Sequence, residues 1–286
     1  MKLFLLTFMN GLTLAALYFL VASGFTLVFG LMRNVNLAHG SLYLLGAYIG
    51  YDVADTTGSW FLGVGAGFLS TAVFGLLLQV FVFRRMEGDD LRQTLVTIGI
   101  SIVLADLMIA IWSGTTYQFE PPEWLYGATK MPLVRAYPTY RLVLLGTAAV
   151  IGVGLWLFLN RTRVGMMIRA GVDDRGMLSA SGVNVQLVFA ITFAIGAGLA
   201  GFAGVVGGTA LSIAPGEDIR YLLASLVVVI VGGMGSITGA AIGALLIGLA
   251  EQFGLAYSPT YGVVYTFVIM VAVLAVRPQG IMGARA

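Results

Sequence analysis

The sequence predicts an all-α fold, a polytopic transmembrane helical bundle. Of its 286 residues, 59% are hydrophobic and only 10% are charged. A soluble domain carries about 25% charged residues, so this chain cannot cover a surface that faces water. Its apolar residues also form runs that suit membrane-spanning helices, which need about 20 residues each. The loops between the runs are short, which predicts a single transmembrane domain over residues 1–286.

Nine apolar segments predict eight or nine spans, some of them short or discontinuous. They cover about 3–32, 37–51, 60–83, 94–112, 142–159, 187–211, 221–234, 237–256 and 261–276. The first begins like a signal peptide but exceeds the about 7–15 apolar residues of a signal core, which predicts an uncleaved helix.

Two of these segments, 37–51 and 221–234, are too short for an ordinary span. The second gives about 21 Å of helix against a hydrocarbon core of about 30 Å. Short or glycine-broken helices near the middle of transporters line the substrate path. For 221–234 a tilted helix or a thinned bilayer is an equal alternative.

Basic residues set the predicted orientation. Ten of the fifteen lie in the loops at 33–36, 84–93 and 160–186 and in the tail from 277. The positive-inside rule places these segments in the cytoplasm, with the N-terminus outside and the C-terminus in the cytoplasm. Lys2, on the outside, is an exception.

Polar residues within the apolar segments are the candidates for a translocation pathway. Asp106 and Glu251 are predicted in the outer half of the bilayer, because a charge at its centre costs about 2.5–3.5 kcal/mol. They would contact a cationic group of a substrate, or else form structural hydrogen bonds to neighbouring helices. The predicted pathway also includes Asn10, Asn36, His39, Gly232 and Gly233.

Glycines recur at four-residue spacing in two late segments. Gly235, Gly239 and Gly243 form one ladder, and Gly204 and Gly208 belong to the other. Such small-xxx-small patterns let two membrane helices approach closely. The pattern leaves open whether the approach is within this chain or to a second membrane subunit.

Motifs for enzymatic chemistry are absent from the sequence. Neither lysine, Lys2 or Lys130, follows a glycine, so no phosphate-binding P-loop is present. The single histidine and the lack of cysteine predict no metal site, and we expect no cofactor bound by this chain. A net charge of +2 gives no reason to expect nucleic acid. The chain is therefore predicted not to be an enzyme and not to hydrolyse ATP itself.

The loop at 160–186 is longer than a connection between helices requires. It predicts a short helix along the membrane surface, with Asp173 and Asp174 in its first turn, where the helix dipole favours acids. Gly182 is predicted to end that helix. An ordinary solvated linker is the alternative.

Three stretches resemble a known family. They are "NGLTLAALYFLVASGFTLVFGLMRNVNLAHGSLYLLGAY" (10–48), "RAGVDDRGMLSASGVNVQLVFAITFAIGAGLAGFAGVVGG" (169–208) and "VIVGGMGSITGAAIGALLIGLAE" (229–251). They are similar to permeases of ABC importers for branched-chain amino acids, and the length suits the shorter of the two homologous permeases in such systems.

The resemblance implies a heterodimer with a second permease, two cytoplasmic ATPases that bind ATP and Mg²⁺, and a periplasmic amino-acid-binding protein in a bacterial inner membrane. It implies that transport proceeds by alternating access and that the loop at 160–186 couples the permease to the ATPases. The residues implied for that contact are Arg169, Gly171, Asp173, Asp174, Arg175, Met177, Ser179 and Gly182. Alternatives are a permease for urea or short amides, an ion-coupled secondary transporter, a passive channel and a membrane scaffold.

Overall fold

The computed structural model describes residues 2–32, 36–86, 88–130 and 136–283, and it is built almost wholly of helices. The helices are α1 (Lys2–Met32), α2 (His39–Thr57), α3 (Trp60–Phe81), α4 (Asp90–Trp112), α5 (Thr139–Arg161), α6 (Arg163–Asp173), α7 (Arg175–Ala180), α8 (Val185–Ala210), α9 (Glu217–Gly232), α10 (Ile237–Tyr257) and α11 (Gly262–Val276). Within the described ranges, two antiparallel strands of two residues each, β1 (Ala128–Thr129) and β2 (Tyr137–Pro138), are the only sheet.

Six of the described helices, α1, α3, α4, α5, α8 and α10, are long and apolar enough to cross a membrane. This confirms the predicted all-α polytopic bundle. The short helix predicted at 221–234 is α9, which has 16 residues. The predicted segment 37–51 corresponds to α2. This helix ends later than predicted, at Thr57, because it continues through polar residues that an apolar window does not include.

Helices α1 and α8 form the centre of the bundle and cross where two glycines meet. A Cβ atom at Gly24 would collide with the carbonyl oxygen of Gly196, and one at Gly196 would lie 2.8 Å from the carbonyl oxygen of Gly24. Membrane helices associate through such close packing of small residues, because lipid provides little hydrophobic driving force between them. The backbones of α1 and α8 can therefore approach only because both positions lack a side chain.

Each central helix also packs antiparallel to one further helix. Helix α1 runs against α10, so that the Phe4 ring contacts that of Phe253 at one end, with centroids 5.2 Å apart, while Gly30 meets Gly235 at the other. Helix α3 runs against α8, where the indole Nε1 of Trp60 donates to Thr209 Oγ1 at 2.9 Å. The glycine ladders of α8 and α10 also face inward: Gly204 contacts α2, and Gly239 and Gly243 contact α9.

Helices α2 and α9 begin in the interior of the bundle, level with the middle of α1. At the start of α2, His39 Nε2 lies 3.0 Å from the carbonyl oxygen of Val21. At the start of α9, the ring of Tyr221 lies edge-on to that of Tyr18, with centroids 6.4 Å apart. The two helix starts touch each other through Ser41, whose hydroxyl donates to Asp218 Oδ2 at 3.3 Å. Two helices of 19 and 16 residues thus begin beside each other inside the bundle, an arrangement typical of transporter folds.

The bundle has two distinct ends. We call the one formed by segments 82–86, 161–184, 233–236 and 277–283 the basic end, and the one formed by 57–60, 112–130, 136–138 and 211–213 the distal end. At the basic end, the backbone N–H groups of Ile281 and Met282 donate to the carbonyls of Val231 and Gly232, both at 2.9 Å. The tail thereby satisfies carbonyls that the end of α9 leaves open.

Candidate functional site

Two short helices, α6 and α7, project from the basic end where one surface helix was predicted. Their junction is Asp174, which has an extended backbone and accepts a hydrogen bond from the Met177 N–H at 3.0 Å, capping α7. The prediction that Asp173 and Asp174 share a first turn was wrong, since Asp173 is the last residue of α6. The reason is local, because an N-cap residue must leave the helical conformation and so divides the segment in two. Gly182, at φ +80°, follows the end of α7 as predicted.

The predicted coupling residues divide into an exposed group and an anchoring group. Exposed on α7 and around it are Asp174, Met177, Ser179 and Gly182, and Met177 is 72% exposed. Two anchoring residues point back toward the bundle: Gly171 is buried, and the Arg175 guanidinium lies 5.0 Å from the Phe189 ring centroid. Arg169 is exposed as well, although its side chain donates to Asn160 Oδ1 at 2.8 Å. The side chain of Asp173 lies outside the described part of the chain.

A mixed polar and apolar cavity of about 340 Å³ opens among α1, α5, α9 and the C-terminal ends of α8 and α10. We call it the distal cavity. The side chains of Leu14, Leu17 and Leu144 provide an apolar wall. The polar lining comes from Asn10, Thr13, Arg141, Ser212, Glu217, Arg220 and Gln252. The cavity thus combines charges of both signs with an aliphatic surface.

Arg220 forms ion pairs with two carboxylates beside the distal cavity. Its guanidinium lies 3.6 Å from Glu217 and 3.6 Å from Glu251. Glu251 is almost fully buried and also accepts a hydrogen bond from the Tyr18 hydroxyl at 2.6 Å. A buried charge needs such partners, and Tyr18 and Arg220 provide them. Its predicted alternative role, a structural hydrogen bond to a neighbouring helix, matches this geometry.

Arg141 occupies the other side of the distal cavity, in the first turn of α5. Its Nη1 donates to the amide oxygen of Asn10 at 2.9 Å, and its guanidinium lies 6.0 Å from the Tyr137 ring centroid. Arg220 forms ion pairs with Glu217 and Glu251, and no ion pair joins Arg141 to a carboxylate in the described part of the chain. The Arg141 charge is therefore met there by a neutral amide and an aromatic ring rather than by a carboxylate.

The structure places the other predicted pathway residues away from this cavity. His39 packs against Phe25 in the interior, and Asn36 accepts a hydrogen bond from the Ala38 N–H at 3.1 Å. Asp106 is exposed on α4. Gly232 and Gly233 lie at the basic end, against Gly239 and Gly283 respectively. Of the predicted set, only Asn10 lines the distal cavity, and Glu251 adjoins it.

The sequence analysis did not single out Arg141, Arg220 or Glu217 as site residues. Arg220 directly preceded the predicted short helix, and that position was a usable signal, because helix starts inside a transporter bundle line its polar path. Nothing in the local sequence indicated that α5 would bring Arg141 to Asn10, 131 positions earlier.

Comparison with known proteins identifies the family. The family of permease components of branched-chain amino acid transport systems matches residues 7–274. The chain belongs to this family. It is therefore a multi-pass membrane protein, in agreement with its six long apolar helices.

Individual relatives match over nearly the whole permease. BraD of Pseudomonas aeruginosa, a high-affinity branched-chain amino acid transport system permease protein, is 32% identical over 96% of this chain and 94% of its own. LivH of Escherichia coli, of the same description, is 31% identical over 98% of this chain and 96% of its own. LivM of Escherichia coli is 25% identical, and the match covers 94% of this chain but 68% of LivM. The permease thus corresponds in length to LivH. No solved structure matches it.

Proposed function

We propose that this permease is the membrane subunit of an ATP-driven ABC importer that carries branched-chain amino acids across a bacterial inner membrane. It pairs with a second, homologous permease and works by alternating access. ATP and Mg²⁺ bind to two cytoplasmic ATPases, and a periplasmic binding protein delivers the substrate. The names of BraD and LivH support the substrate class, and their near-complete coverage of this chain supports the subunit type.

The exposed face of α7 is the observation that supports a role in coupling the permease to the ATPases. A permease without its own ATP site must receive energy through contact with another protein. Leu178 is buried and holds α7 to the bundle, while Met177 on the same helix is 72% exposed. Met177 thus holds a large apolar side chain away from the bundle on a helix that Leu178 fixes in place, which suits contact with another protein. We infer that α6 and α7 seat on an ATPase and transmit its closure to α8.

Uptake of labelled leucine by cells that express the full gene set tests this function. ATP depletion should abolish uptake, whereas a protonophore applied with ATP maintained should leave it intact. Uptake that follows the proton gradient would favour an ion-coupled carrier and contradict the proposal. Competition by urea and short amides in the same cells tests the alternative substrate class, and we expect none.

The coupling contact is tested by Met177→Glu, with Met234→Glu as the matched control. Both methionines are exposed at the basic end, at 72% and 52%, but Met234 lies in the turn between α9 and α10. We expect Met177→Glu to lower co-purification of the ATPases and leucine uptake at least tenfold. Met234→Glu should retain both. Equal loss in the two variants would contradict a specific role of α7.

A further inference from the structure

The distal cavity has the composition of a receptor for a small zwitterion. Its volume of about 340 Å³ lies at the lower end of the range of about 300–1,000 Å³ for small-molecule sites. It offers a cation at Arg141, an acid at Glu217 and an aliphatic wall of Leu14, Leu17 and Leu144. An α-amino acid with a branched aliphatic side chain presents the complementary three groups.

The two arginines of the cavity differ in how their charge is satisfied. Arg220 is neutralised by Glu217 and Glu251, each at 3.6 Å. Arg141 meets only the Asn10 amide and the Tyr137 ring among its described partners. A guanidinium has five donors, and it binds carboxylates through two parallel hydrogen bonds. Arg141 therefore keeps both the charge and the donors that an incoming carboxylate requires.

We propose that the distal cavity binds the transported amino acid, with its α-carboxylate held by Arg141 and its aliphatic side chain against Leu14, Leu17 and Leu144. The ammonium group lies toward Glu217, whose side chain remains 30% exposed beside Arg220. Asn10 fixes the Arg141 side chain through its hydrogen bond and is a positioning residue. This inference rests on the proposed function and adds to it a substrate site within this subunit.

Ligand binding to the assembled transporter in nanodiscs, without the binding protein, tests the site. Saturation-transfer NMR would measure the affinity for leucine and for leucinamide, which lacks the carboxylate. We expect Arg141→Met to weaken leucine binding at least tenfold and to leave the weak binding of leucinamide unchanged. Arg141→Lys should recover part of the leucine affinity. Lys130→Met, which removes a distal-end cation outside the cavity lining, is the matched control and should behave as wild type.

The outcomes distinguish a failure of the cavity proposal from a failure of the proposed importer function. If wild-type uptake does not depend on ATP, the proposed importer fails whatever the cavity binds. If uptake is ATP-driven but Arg141→Met leaves leucine affinity and uptake unchanged, the cavity proposal alone is overturned. If Arg141 instead holds a lipid phosphate, Arg141→Met leaves leucine affinity unchanged and lowers the binding of anionic lipid to the transporter. That result would also overturn the proposal.

Discussion

At the scale of single residues, the membrane interior tolerates a charge only where its partners are in place. Glu251 is held by the Tyr18 hydroxyl at 2.6 Å and by Arg220 at 3.6 Å. Glu251→Ala leaves the buried Tyr18 hydroxyl without its partner, which costs about 1–3 kcal/mol. We expect a loss of that size in reversible unfolding of the purified protein in mixed micelles. Glu217→Ala, which removes the more exposed partner of Arg220, is the control and should cost less than half as much.

The close approach of Gly24 and Gly196 predicts that a side chain at Gly196 lowers the stability of the bundle. A side chain at Gly196 meets the α1 backbone, which cannot move aside as a flexible side chain would. Overpacking a core costs about 1–3 kcal/mol, and we expect Gly196→Val to reach at least the upper value. Gly146→Val in α5, where a Cβ meets nothing within 4 Å, should leave stability unchanged. Thermal unfolding of both variants in the same detergent makes the comparison, and equal melting temperatures would contradict it.

At the scale of elements, the division between α6 and α7 gives Asp174 a role that charge alone does not explain. Its carboxylate caps α7 by accepting from the Met177 N–H. Loss of an N-cap to alanine costs about 0.5–2 kcal/mol, enough to unwind a helix of six residues. We expect Asp174→Ala to reduce leucine uptake severalfold and Asp174→Ser, which keeps a capping oxygen, to retain most of it. Equal loss in both variants would show that the negative charge, and not the cap, is required.

Element boundaries also show what local sequence can predict and what it cannot. The helix predicted at 142–159 is α5 (Thr139–Arg161), and Gly182 ends α7 as expected, because apolar length and glycine are local signals. The adjacent acids Asp173 and Asp174 are compatible with two structures. They could share the first turn of one helix, or they could lie on opposite sides of a break between two helices. Either acid can cap a helix, so the local pattern did not indicate that Asp174 would take the N-cap position and that α6 would end at Asp173.

At the scale of the whole molecule, the distal cavity depends on contacts between distant parts of the chain. Composition alone predicts a helical membrane bundle, and the positions of the polar residues suggest which helices line a path. The meeting of Ser41 with Asp218 and of Asn10 with Arg141 joins segments more than 130 residues apart. Neither pair has a periodic or motif signal. For that reason the sequence indicated Asn10 but not its partner Arg141.

The orientation of the molecule is open to a direct test, because the chain has no cysteine. The predicted cytoplasmic loops and tail hold ten of the fifteen basic residues, which favours the basic end inside the cell. Ala128 and Ser181 are exposed at the distal and basic ends respectively. In intact spheroplasts, a membrane-impermeant maleimide should label Ala128→Cys at once and Ser181→Cys only after permeabilisation. The reverse pattern would place α7 outside the cell, where no ATPase can reach it, and the coupling mechanism would fail with the orientation.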